Sequence, residues 1–197
     1  IRPVFIPIGV LFILSILIKR QWKSVLKVFI AGIPFALIYL AYNYLCYGSF
    51  ISSGYDVVRS ESFNFQVFNG FNLLFSASKG WLIYSPLMFL GLVGLFIFIR
   101  RQKELAIISL LSIFSLVVIY GFWPAWGGGG GYGSRFMIFA VPFVAIGVAT
   151  LANVNLRFHF KRFMVKVSTL SRLLIFIAAL FSICITLLYR IIPVTSY

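Results

Sequence analysis

The stretch "WLIYSPLMFLGLVGLFIFIRRQKELAIISLLSIFSLVVIYGFW" (81–123) holds two long apolar runs separated by "RRQK". A bilayer core is crossed by about 20 apolar residues in a helix, and each run approaches that length. A water-soluble helical hairpin would carry a polar stripe along each helix, and neither run has one. The stretch therefore reads as two membrane-crossing helices joined by a short basic turn. The same pattern extends in both directions, with apolar runs at about 3–18, 28–47, 81–99, 105–123, 136–152 and 173–192. Composition agrees: 62% of the 197 residues are hydrophobic and 10% are charged, against about 25% charged in a soluble domain. A β-barrel would show short segments of alternating polarity, and the sequence has none. The expected fold class is all-α: a polytopic membrane helix bundle of about six transmembrane helices in a single transmembrane domain.

The formal net charge is +14, from seventeen Lys and Arg against three acids. In a soluble protein that balance would suggest nucleic acid. Here "KRQWKSVLK", "RRQK" and "RFHFKRFMVKVSTLSR" hold twelve of the seventeen cations, so no nucleic acid is expected. Arg2, Arg59, Lys79, Arg135 and Arg190 fall on or near the opposite side. Excess Lys and Arg in cytoplasmic loops sets helix orientation, and this alternation puts both termini outside. In "RFHFKRF", Phe158, Phe160 and Phe163 suit the membrane interface while the neighbouring cations meet anionic headgroups. Membrane lipids are thus expected partners.

Cys46 and Cys184 stand singly in apolar segments, as buried thiols do. No metal-ligand spacing surrounds them. "IRPVFIPIG" lacks the basic start and small-residue cleavage site of a signal peptide, so the chain reads as a fragment of a longer protein.

The outer loops carry the polar chemistry. The longer, 48–80, contains Asp56, Arg59, Glu61 and Lys79, and its second half, "FNFQVFNGFNLLF", suits an amphipathic segment lying in the interface. The other is "YGFWPAWGGGGGYGSRFMIF" (120–139). Its "GGGGYG" formally matches a dinucleotide pattern, but that pattern has meaning only between a strand and a helix. The phosphate-loop signature fails as well, because no Gly-Lys-Ser/Thr occurs. Trp123, Trp126 and Tyr132 fit the interfacial aromatic belt. Gly131 and Gly133 let backbone approach a ligand. Ser134 and Arg135 precede the next span, where a helix start offers free N–H groups. The planar fork of Arg grips phosphate oxygens in pairs. Together these residues suit a phosphate; the plainer alternative is a slack connector.

"WPAWGGGGGYGSRFMIFAVPF" (123–143) resembles the Trp-x-Gly-Gly…Tyr-Gly-x-Arg-(apolar)-Pro stretch of bacterial multi-span sugar transferases of the GT-C superfamily, relatives of the protein O-mannosyltransferases. "FSASKGWLIYSPLMFLGLVGLF" (75–96) is similar to a second stretch of those proteins, a Gly-x-x-x-Tyr-Ser-Pro turn leading into a span. The resemblance implies a glycosyltransferase in the bacterial cytoplasmic membrane. Its donor would be a sugar on a polyprenyl-phosphate carrier, used at the outer face. It also implies a catalytic Asp or Glu in the first outer loop. "IRP" holds no acid, in keeping with the C-terminal part of a longer enzyme.

On that reading Arg135 pairs the donor phosphate, with Lys79 second. Asp56 and Glu61 are the outer acids available as base, and a solvated loop in which they pair Arg59 is the plainer alternative. Tyr84 and Ser85 shape the turn before Pro86. No cofactor is required by the sequence, and a divalent metal is left open. The rival class is a non-enzymatic lipid or polysaccharide transporter or flippase subunit. Such proteins carry charged or broken helices at membrane depth, and ionisable residues are sparse there.

Overall fold

The computed structural model describes residues 6–50, 65–127, 135–153, 157–160 and 163–191. The chain divides into two compact units, Ile1–Gln66 and Val67–Tyr197.

The first unit is a helical hairpin of α1 (Ile6–Ile18) and α2 (Trp22–Tyr47). Their connection is short: Arg20 N–H donates to Leu17 O at 2.8 Å and Gln21 N–H to Ile16 O at 3.2 Å. Lys23 and Lys27, expected in a loop, lie in the first turns of α2. No Gly or Pro interrupts 22–28, and Val25 is buried, so the helix starts early. The cations can extend along their stems toward water. At the far end Gly48 takes a left-handed φ of 69° and its N–H closes on Tyr44 O at 2.9 Å, a common helix stop. Asn43, buried near that end, donates from Nδ2 to Phe50 O at 3.2 Å, and the Tyr44 and Phe50 rings stack at 4.8 Å.

The second unit contains α3 (Gly70–Phe75), α4 (Trp81–Tyr84), α5 (Pro86–Phe98) and α6 (Lys103–Gly121). A 3-10 helix, Arg135–Ala140, leads into α7 (Val141–Ala152), and α8 (Val167–Ile191) closes the unit. Before α8 a small antiparallel hairpin pairs β1 (Arg157–Phe160) with β2 (Phe163–Lys166). This hairpin is the exception to the all-helical expectation among the described residues.

Among the described residues four helices are long and apolar enough to cross a membrane: Trp22–Tyr47, Lys103–Gly121, Arg135–Ala152 and Thr169–Leu188. Two further expected spans are shorter. Helices α1 and α5 have 13 residues each, about 20 Å at the helical rise of 1.5 Å per residue. The run 81–98 is divided at Ser85, because Pro86 has no N–H to return to Leu82 and its ring disfavours a continuous helix.

The tightest packing in the second unit joins α5 to α7 through glycines. Gly91 lies against Val144, and Gly94 and Leu95 lie against Gly147. Contact positions advance together along both helices, so the pair runs parallel. Only 99–102 join α5 to α6, and so short a connection makes α6 return antiparallel. Between apolar helices in lipid the gain comes from close packing rather than from exclusion of water, and small residues permit it. Leu95, Leu116, Met137 and Val144 form the buried centre. At the lower end of α7, Ser171 Oγ donates to Leu151 O at 2.9 Å and Arg172 Nε to Ala152 O at 3.1 Å. These bonds satisfy carbonyls that a helix end leaves open, and the cation suits the negative end of the helix dipole.

Candidate functional site: the glycine end

The C-terminal end of α6 organises the site. Helix α6 stops at Gly121, and a turn through Pro124 carries Trp123, Trp126 and Gly127, all half-buried. Trp123 N–H donates to Tyr120 O at 3.2 Å. The incoming chain docks on the same end: Asn69 N–H donates to Gly121 O at 2.7 Å. The Phe68 ring covers Gly70 and Gly121 and meets Phe122 at 5.0 Å between centroids. A side chain at Gly121 would meet Gly70 N at 3.0 Å, so this join depends on two small residues. Leu73 of α3 is fully buried while Phe71 is 72% exposed. That division fits the amphipathic segment read from the sequence.

Between α3 and α4 lies a tight turn, "SASKG". Ser76 Oγ and Ser78 Oγ share a hydrogen bond of 2.9 Å, and Ser78 N–H donates to Ser76 Oγ at 3.3 Å. Gly80 N–H donates to Ser76 O at 2.7 Å. A β-carbon on Gly80 would sit 2.5 Å from Ser76 N and 2.6 Å from Ser76 O. Both are backbone atoms, so the turn admits only glycine there. Tyr84 Oη donates to Ala77 O at 2.5 Å across the turn.

This geometry delivers Lys79 to the glycine loop. A β-carbon placed on Gly127 would lie 3.0 Å from Lys79 Cδ and 3.7 Å from Lys79 Nζ. The lysine stem thus runs along the first glycine of the run, and its ammonium is beside it. The two stretches are 48 positions apart in sequence, and the fold brings them into contact.

Arg135 opens the segment that follows the glycines. It is exposed, with its guanidinium carbon 5.7 Å from the centroid of the Phe136 ring. Phe136 is 4% exposed and stacks on Tyr120 at 4.5 Å with the rings 14° apart. The buried stack ties the start of the 3-10 helix to the last turn of α6. Arg135 therefore stands at the same end of the unit as Lys79. The expected α-helical start at 136 is instead 3-10, and the α-helix proper begins at Val141. Pro142 cannot donate to Ile138, so the preceding turns wind to the i−3 pattern.

Of the other residues singled out from the sequence, Asp56, Glu61, Gly131, Tyr132, Gly133 and Ser134 lie outside the described residues. Among the described residues this end carries Lys79 and Arg135 and no carboxylate, and Glu104 sits in the first turn of α6, at the opposite end. Seventeen residues of helix separate Glu104 from Gly121, about 26 Å at the usual rise. The two charged side chains described at this end are thus both cationic. No group of three or more His, Cys, Asp or Glu that could hold a metal ion occurs among the described residues.

Sequence reasoning missed two features of the site. Trp81 is 5% exposed, a buried anchor at the start of α4. The Tyr84 hydroxyl has a specific backbone partner rather than a general shaping role. The Gly-x-x-x-Tyr spacing in "GWLIY" held the signal for both, since it puts Tyr84 one helical turn beyond Gly80.

No family model, no curated protein and no solved structure matches the chain.

Proposed function

We propose that this chain is the membrane domain, in its C-terminal part, of a GT-C-type glycosyltransferase that draws a sugar from a polyprenyl-phosphate donor. The observation that carries the proposal is Lys79 laid along Gly127, at the end of the bundle that also presents Arg135. In this reading six segments cross the bacterial cytoplasmic membrane. The glycine end and both termini face outward, and the basic connections face the cytoplasm. The break at Ser85 sits within the third crossing, where 81–98 together span about 27 Å.

A lipid-linked donor presents its phosphate at headgroup depth. The bond between the sugar and the phosphate oxygen breaks as the acceptor attacks, and negative charge collects on the departing phosphate. Arg135 can take two of its oxygens at once, while Lys79 adds a point charge. Fixed cations stabilise the charge that develops, which is the interaction that accelerates transfer. The half-buried Trp123 and Trp126 suit the interface where the lipid chain enters. An acceptor hydroxyl needs a base, for which Asp56, Glu61 or an acid upstream of this chain are the candidates.

The test is transfer from a radiolabelled polyprenyl-phosphate sugar by the full-length protein in vesicles. Arg135→Ala should lower turnover by about a hundredfold, the loss typical when one charge-stabilising donor is removed. Unchanged turnover would refute the assignment. A second reading, a lipid transporter or flippase subunit, draws on the helix break at Ser85, since broken helices mark transport sites. Donor binding and translocation without sugar transfer would favour it.

A further inference from the structure

We propose that Tyr84 is a positioning residue for the anion site: its hydroxyl holds the 76–79 turn and thereby sets Lys79 against Gly127. The inference rests on the reading of Lys79 as a phosphate-facing cation.

The turn has two kinds of attachment. Within the turn Ser76 bonds through its hydroxyl to Ser78 and through its carbonyl to Gly80. Ser76 N–H donates to Asn72 O at 3.0 Å, which ties the start of the turn to α3, and Tyr84 Oη donates to Ala77 O at 2.5 Å, which ties its crest to α4. Ala77 and Ser78 are exposed, and Lys79 is half-buried. Helix α4, by contrast, is anchored: Trp81 is 5% exposed and Leu82 is 9% exposed. Tyr84 N–H also donates to Gly80 O at 3.1 Å, so ring and turn are geared through the same short helix. Helical side chains lean toward the N-terminus, which carries the tyrosine ring back over the turn. The hydroxyl thus transmits the fixed position of α4 to Ala77, two residues before Lys79. Gly80 allows the turn to close, and Tyr84 keeps it closed in one orientation. In this arrangement the lysine stem is held beside Gly127.

Two measurements test the idea. The first is proximity without any ligand. In a background lacking Cys46 and Cys184, the Lys79→Cys and Gly127→Cys pair should cross-link efficiently with a short bifunctional thiol reagent. Adding Tyr84→Phe, which removes one oxygen and keeps the ring, should lower that yield severalfold. The second is binding of a fluorescent polyprenyl monophosphate to the full-length protein. Tyr84→Phe should weaken it about fivefold, the scale of one hydrogen bond, and the loss should vanish in a Lys79→Met background, because coupled residues are not additive. Equal loss in both backgrounds, or an unchanged cross-link yield, overturns the proposal. Should Lys79→Met and Arg135→Ala both bind the probe normally, the phosphate reading itself fails. The cross-link result would then still report whether Tyr84 sets the distance between 79 and 127.

Discussion

Gly147→Ala perturbs the seam on which the second unit is built, and its effect can be worked out from the backbone. The added β-carbon would lie 2.8 Å from Leu95 N and 2.8 Å from the Gly91 carbonyl carbon, and closer still to the Gly91 oxygen. Ordinary carbon contacts settle at about 3.5–4.0 Å, so α5 and α7 must part by roughly an ångström. The obstructing atoms are backbone, and no rotamer change relieves them. The seam is reciprocal: a β-carbon on Gly94 would meet the Gly147 carbonyl carbon at 2.5 Å, and one on Gly91 would meet Val144 O at 2.8 Å. Separation also loosens Leu95 and Val144, which are 0% and 1% exposed. Overpacking of this kind costs about 1–3 kcal/mol, and better helix propensity returns about 0.5–1 kcal/mol. The net expectation is a loss of about 1–2 kcal/mol, or about 5- to 30-fold in the folding equilibrium. Titration with SDS in bicelles, followed by tryptophan fluorescence, would measure it. Gly32→Ala in α2 is the control: nothing lies within 4 Å of the added carbon, so stability should be unchanged or slightly raised. Wild-type stability for Gly147→Ala would refute the close parallel packing of α5 on α7.

Three further outcomes are expected. Arg135→Lys should recover only part of the donor binding lost in Arg135→Ala, because a point charge lacks the bidentate fork; full recovery in a binding titration would reduce Arg135 to a simple charge. Single cysteines at 57 and 129 should react with an impermeant thiol reagent from outside intact cells while 102 and 160 do not, and outside labelling of 102 would overturn the proposed orientation. Gly127→Ala should lower sugar transfer without changing membrane expression, since the new carbon would lie 3.0 Å from Lys79 Cδ. Normal transfer would mean that the stem moves aside freely.

The helices were legible because apolar length is a strong signal, and "RRQK" marked the α5–α6 turn almost to the residue. Boundaries drifted where the signal was charge. Lys23 and Lys27 suggested a loop, yet nothing in 22–28 breaks a helix and α2 absorbs them. The seam was not read, because helices apolar all round give no periodic clue to their packed face; only the glycines at 91, 94 and 147 mark it. The divisions at Ser85 and before Val141 follow from Pro86 and Pro142, whereas Pro34 sits inside an unbroken α2. Of the candidate site, the sequence offered residue types: an arginine after glycines and a lysine in a turn. The meeting of Lys79 with Gly127 was not legible, because it depends on α3 and α6 docking through Gly70, Gly121 and Phe68. Nor could the sequence show that the 3-10 start is fixed by the Tyr120–Phe136 stack.

The most direct test of the central claim is photo-cross-linking with a polyprenyl monophosphate whose reactive group sits beside the phosphate. After irradiation of the full-length protein in membranes, the adduct should map to peptides covering 76–84 and 123–139. Labelling should fall about tenfold or more in the Lys79→Ala, Arg135→Ala double variant, as expected when two charge-assisted contacts are lost. Adducts confined to the basic connections near 100–103, or equal labelling of wild type and double variant, would contradict the account.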